Sequence, residues 1–214
     1  MAPPGSGLYL ASLHAMPASR PLHTAVPGDD EPMPSAWASL VPDPLPPPAQ
    51  GLPAVIDLEA SGFGRDSYPI EVGFVLEDGR SGCTLIRPEP DWTHWDPAAA
   101  RTHGISRELL VTRGRPVGEV ARWLNQHLEG RTIYCDGWAH DYPWLARLFE
   151  SANATPRFRV GHLRTLLDEA QAQAWQQRLA EVRAAHQGQR HRASVDARHI
   201  RAALASTISR RTSP

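Results

Sequence analysis

Three segments carry side chains whose types and spacing suit the chemistry of divalent metal ions. The first is Ile56-Asp57-Leu58-Glu59-Ala60-Ser61-Gly62. Side chains alternate along a strand, so Asp57 and Glu59 share one face. Two carboxylates at the end of an apolar strand repel each other and are costly unless a cation neutralises them. Oxygen ligands of this kind suit Mg²⁺ or Mn²⁺ rather than zinc. The second segment runs Tyr134-Cys135-Asp136-Gly137-Trp138-Ala139-His140-Asp141-Tyr142-Pro143-Trp144-Leu145. It reads as a strand, a short loop and a helix opening on Asp141. An Asp there caps a helix, and it also stands where a strand end can deliver a third carboxylate. The third segment is His191-Arg192-Ala193-Ser194-Val195-Asp196-Ala197. Its histidine lies five residues before an Asp that enters a helix, and His is the natural general base near neutral pH. Taken singly, each segment has an ordinary explanation in solvated acids, a helix cap or a surface histidine.

The elements that must position these groups are readable from periodicity. An apolar run at 53–58 ending in acids is a buried strand. A second strand follows at 70–76, then a turn at 77–80 with Asp78-Gly79 at its centre, then a third strand at 83–87. Strands one to three read as an antiparallel meander. Val117, Val120, Ala121, Leu124 and Leu128 recur at helix spacing within 116–128. A fourth strand is expected at 132–135, a helix at 141–149 with Pro143 in its first turn, and a fifth strand at 158–160. Helices at 162–185 and 195–207 finish the chain. The order is that of an α/β protein, with a mixed sheet and helices on its faces.

Composition sets the frame. The chain has 214 residues, 41% hydrophobic and 21% charged, as in a globular protein with one domain's worth of core. Twelve of the 21 prolines fall in residues 1–50, where periodicity is absent. That stretch is expected to be a disordered Pro-rich leader, with the folded domain occupying 51–214. Cys83 and Cys135 form neither a disulfide framework nor a CxxC pair. No apolar run is long enough to span a membrane, and Leu8-Tyr9-Leu10 has no basic residue ahead of it, unlike a secretion signal. A cytoplasmic protein is the expectation. All 22 basic residues are arginine, 21 of them after residue 50. Arginine is the better fork for phosphate.

Together the segments resemble the histidine subclass of the DEDD exonuclease superfamily. The family's D-x-E-x-x-G is matched by Asp57, Glu59 and Gly62. Its second motif, an Asp opening a helix after a strand, is matched by Asp141. Its H-x-A-x-x-D is matched by His191, Ala193 and Asp196. A further element, His103-Gly104-Ile105-Ser106 with Glu108 and Leu109, also fits. The resemblance covers about 53–208. It departs at the second motif, where Asp136 and Gly137 stand in place of His-Asn, and Asp136 is a rival to Asp141.

The resemblance implies an RNase H-like fold with a mixed five-stranded sheet and helices on both faces. It implies a 3′–5′ exonuclease that releases 5′-nucleoside monophosphates from single-stranded DNA or RNA, with two Mg²⁺ or Mn²⁺ ions. Two ions about 3.5–4 Å apart stabilise both the attacking and the leaving oxygen. By this analogy Asp57 bridges the ions, Glu59 and Asp196 hold the one carrying the nucleophilic water, Asp141 helps position the other, and His191 takes the proton. Expected at the substrate are Leu58, Ala60, Phe63 (as a wedge against the terminal base), His103, Tyr142 and Arg192. Arg190, Arg198 and Arg201 flank the third motif as candidate phosphate contacts, and a solvated helix face explains Arg201 equally well. The partner is the 3′ end of a single strand; homodimerisation and association with a polymerase both stay open. The competing readings are an RNase H-like endonuclease and a non-catalytic module that binds nucleic acid or a polymerase.

Overall fold

In the computed structural model, residues 51–186 and 191–209 are described. The leader expected at 1–50, and Arg190, lie outside the described residues. Five strands form one sheet: β1 (Ala54–Ala60), β2 (Pro69–Val75), β3 (Ser81–Leu85), β4 (Thr132–Cys135) and β5 (Arg159–His162). Their spatial order is β3-β2-β1-β4-β5. β1–β2 and β2–β3 are antiparallel, whereas β1–β4 and β4–β5 are parallel. This is the RNase H-like mixed sheet expected from the sequence.

Six α-helices accompany it among the described residues: α1 (Pro97–His103), α2 (Arg107–Arg113), α3 (Val117–Leu128), α4 (Trp138–Ser151), α5 (Glu169–Ala185) and α6 (Ala193–Ser209). Alternation along β1 divides the core. Ala54, Ile56 and Leu58 pack with Val120, Leu124 and Leu128 of α3 and with Leu145, Leu148 and Phe149 of α4. Val55 faces the other way and joins Trp175 and Leu179 of α5 and Ala197, Ile200 and Leu204 of α6. Helices therefore cover both faces. Asp57 and Glu59, two and four residues after Val55, point to the side of α5 and α6.

The differences from the sequence reading have local causes. α1 and α2 span seven residues each, too short for a helical period to stand out. Their caps were the available signal: Asp96 accepts from Ala98 N–H ahead of Pro97, and Ser106 accepts from Leu109 N–H. The helix expected to open on Asp141 starts three residues earlier, at Trp138, with Gly137 as its N-cap. Pro143 therefore lies inside α4 rather than in its first turn, at the cost of one backbone bond. Trp138 stacks on Tyr142, with centroids 4.7 Å apart, which favours the earlier start. The 162–185 helix divides into a 3₁₀ turn, Leu163–Leu166, and α5, separated where Asp168 forms a capping box with Gln171.

Candidate active site

The parallel pair β1–β4 ends beside the first turn of α4, and strand ends of this kind are where open α/β sheets gather ligands. Asp57 and Glu59 occupy the last turns of the pleat in β1. A register irregularity falls between Glu59 and Ala60, a device that re-aims side chains beside functional sites. α6 reaches the same place because Gly73 on β2, the register partner of Asp57, has no side chain. A Cβ there would lie 2.6 Å from the carbonyl carbon of Ala193 and 2.7 Å from the Cα of Ser194. Ala193 is itself fully buried. The small residues at 73 and 193 thus let the start of α6 lie directly on the sheet and set Asp196 over Asp57.

Asp57, Glu59 and Asp196 each offer a carboxylate oxygen within 4.8 Å of the other two. Asp141 lines the same cavity from α4. It is buried, receives backbone N–H groups from Leu58 and Gly137, and is the strongest charged neighbour of Asp57. Asp141 Oδ2 and Asp196 Oδ2 are buried with no hydrogen-bond partner, which is costly for an ionised carboxylate. An all-oxygen donor set with orphaned oxygens fits a hard divalent cation. Asp136, the rival to Asp141, also lines the cavity, but its Oδ1 accepts the indole N–H of Trp175 at 2.6 Å.

These residues line a cavity of about 540 Å³, of a size that suits small ligands. Of the residues expected at the substrate, Leu58, Ala60, Phe63 and His103 line it, and so does His191. Phe63 is 65% exposed and packs edge-on against His140, centroids 5.0 Å apart. His140 in turn stacks on Trp144. His140 and Trp144 both line the cavity; His140 was not among the expected substrate contacts. His191 has a left-handed backbone, φ 59°, immediately before α6.

His103 is more informative than its motif suggested. Its Nδ1 accepts the backbone N–H of Ile105 at 3.0 Å, and burial pushes its pKa down, towards the neutral ring. A neutral imidazole whose Nδ1 accepts must carry its proton on Nε2. That nitrogen is buried without a partner, so it is a donor awaiting an acceptor.

Two expectations meet different surroundings. Tyr142 is buried in the core, stacked on Trp138, rather than lining the cavity. Arg192 spends its Nε and Nη2 donors on Glu71 of β2, with Nε 3.0 Å from each carboxylate oxygen. Glu71 is fully buried, lies opposite Glu59 in the sheet, and also accepts the N–H of Ala193 at 2.9 Å. It was missed because a Glu in an apolar strand shows no partner in sequence. Arg198 donates to Ser81 and Arg201 to the carbonyl of Glu77, near the β2–β3 turn.

The crowding of acids has a thermodynamic consequence. Burial first, then repulsion from Asp196, Glu71 and Asp141, pushes Glu59 up to about 8. Burial and then Asp141, Glu59 and Asp196 raise Asp57 well above the carboxylate range, and burial raises Asp141. Between the unfolded carboxylate range near pH ~4 and about 8, the folded protein without divalent cations holds protons that the unfolded chain has released. A native state that binds more protons loses stability as pH rises. The melting temperature in chelator should therefore fall from pH 5 to 8.5, and saturating Mg²⁺ should flatten that fall. Thermal scans across pH check this; a flat or rising curve in chelator contradicts it.

No protein-family model matches the chain, and no curated protein sequence matches it. Solved structures do match. E. coli Exonuclease I in complex with a dA16 oligonucleotide aligns with a TM-score of 0.58 at 16% identity, over 76% of this chain and 41% of that one. The zinc-bound form of the E. coli Exonuclease I–ssDNA complex gives 0.59 at 16% identity, over 74% and 40%. A moderately thermophilic Exonuclease I from Methylocaldum szegediense gives 0.55 at 14% identity, over 74% and 40%. At this identity the likeness is one of fold, and the chain spans about two fifths of the length of those proteins. Among the described residues no helix is long and apolar enough to cross a membrane.

Proposed function

We propose that this chain is a divalent-metal-dependent 3′–5′ exonuclease that shortens single-stranded nucleic acid and releases 5′-nucleoside monophosphates. The domain at 51–214 would carry this activity as a histidine-subclass DEDD enzyme of the cytoplasm. The observation that supports it best is the convergence of Asp57, Glu59 and Asp196 to within 4.8 Å, in a cavity that Asp141 and His191 also line. The likeness to Exonuclease I structures solved with oligonucleotides supports single-stranded DNA as the first substrate to offer.

Asp57, Glu59, Asp141 and Asp196 would hold two Mg²⁺ or Mn²⁺ ions. Bound there, the ions supply charge neutralisation for the phosphodiester and a more acidic water. The chain does the rest. His191 accepts the proton of the attacking water, as the third-motif imidazole that lines the cavity with the acids. Phe63 offers an exposed ring to the terminal base, a contact any base can make. The Nε2 proton of His103 gives the bound strand a fixed donor.

A 5′-labelled oligonucleotide is expected to yield a ladder of single-nucleotide steps with Mg²⁺ or Mn²⁺, and none in chelator. The same oligonucleotide with a blocked 3′ end should stay intact. Internal cuts in the blocked strand would favour an endonuclease, and binding without any cleavage would favour a non-catalytic module.

A further inference from the structure

Arg183, on the last turn of α5, brings a positive charge into a cavity otherwise rich in acids. Its Nη2 lies 3.2 Å from Asp196 Oδ1, and its charge is also felt at Asp57 and Asp136. The ion pair engages one end of the guanidinium. Nε is buried without a hydrogen-bond partner, although the side chain keeps 39% of its surface exposed. Arg192, the other arginine close to these acids, is committed to Glu71. An arginine retained only to tie α5 to α6 has no need of a buried, unspent donor among metal-binding carboxylates. The guanidinium presents two parallel donors that match the non-bridging oxygens of a phosphodiester.

We propose that Arg183 is a substrate-binding residue that grips the phosphodiester nearest the carboxylates, and that it pairs with Asp196 only until a divalent cation takes that carboxylate. The inference rests on reading the cavity as a metal-dependent nuclease site. Arginine and cation compete for Asp196, since two positive charges on one carboxylate repel each other. Metal entry therefore frees the guanidinium at the moment when a phosphate bearing compensating charge arrives. This couples ion binding to strand binding through one side chain.

The test measures binding of a short oligo(dT) by fluorescence anisotropy, with Ca²⁺ in place of Mg²⁺, at several salt concentrations. Calorimetric titration with Mn²⁺ in the absence of DNA runs alongside. Arg183→Ala should bind the oligonucleotide about tenfold more weakly, as expected for one lost charge-assisted contact. Its log–log salt dependence should be shallower by about 0.7, the single-strand value per phosphate contact. Arg183→Ala should also bind Mn²⁺ several-fold more tightly than the unaltered protein, because a competitor is gone. Arg183→Lys should keep the salt slope and regain only part of the affinity. Oligonucleotide binding by Arg183→Ala with unchanged affinity and slope would overturn the proposal, as would weaker Mn²⁺ binding by that variant. If the unaltered protein itself fails to bind oligo(dT) with Ca²⁺, the nuclease reading falls; if it binds and Arg183→Ala matches it, only the role of Arg183 falls.

Discussion

Asp57→Asn is expected to abolish nucleotide release and, in chelator, to raise the melting temperature. Asp57 is crowded by other carboxylates: Asp141, Glu59 and Asp196 all repel it. An amide of nearly the same shape removes that repulsion while keeping the packing of β1. Each tenfold displacement of a carboxylate's titration by burial and repulsion costs about 1.4 kcal/mol once the group is ionised, and a neutral amide avoids that cost. At roughly 2–4 °C per kcal/mol for a chain of this size, the gain is several degrees above pH 8. Activity moves the other way. In the proposed function the same carboxylate holds the cations, whose charge stabilisation is worth several kcal/mol. At tenfold per ~1.4 kcal/mol, turnover should fall by about 10³-fold or more. The stabilising effect of Mg²⁺ on melting should shrink with it. Thermal scans with and without Mg²⁺, beside an oligonucleotide assay, measure both halves. A variant that melts lower in chelator, or that keeps its activity, would show that the acids are not assembled as described.

Opposite signs for stability and activity at one residue are what a functional site predicts, because strain held there is released when function is removed. The same tension made part of the site legible in sequence. Asp57 and Glu59 broke the apolar run of a strand, and a buried strand with adjacent acids contradicts its own environment. His191, Ala193 and Asp196 were legible because their spacing is short and local. The mixed sheet followed from the succession of strands and helices, whose apolar periods are long enough to count.

What stayed hidden has no local period. Glu71 interrupts β2 as Asp57 interrupts β1, yet its partner Arg192 lies far along the chain, and only the fold brings them to hydrogen-bonding distance. Arg183 stands in no motif. Its neighbours became visible only once α5 was laid beside α6. Gly73 has no local signal, although close packing against Ala193 and Ser194 requires it. The start of α4 was misplaced because Asp141 carries a cap-like side chain, whereas Gly137 supplies the cap. Residues that act through a distant contact are the ones sequence alone reads as scenery.

The second large effect concerns that distant contact. Arg192→Ala is expected to destabilise the fold by about 3 kcal/mol, the lower end of the range for breaking a buried ion pair. The low end applies because the Arg192 side chain is 46% exposed while that of Glu71 is only 1% exposed. Removal of the guanidinium leaves the buried Glu71 carboxylate with the Ala193 N–H and the Cys83 thiol as donors. The melting temperature should drop by roughly 6–12 °C. Pairing the change with Glu71→Gln should restore much of the loss, since no charge is then buried and the amide oxygen still accepts from Ala193. Because the clamp fixes the segment between His191 and α6, turnover should fall at temperatures where Arg192→Ala is fully folded. Urea melts of the single and double variants, with kinetics on the same samples, check each step. If Arg192→Ala instead melts like the unaltered protein and loses affinity for oligo(dT), Arg192 belongs to the substrate after all, and the clamp on Glu71 is incidental.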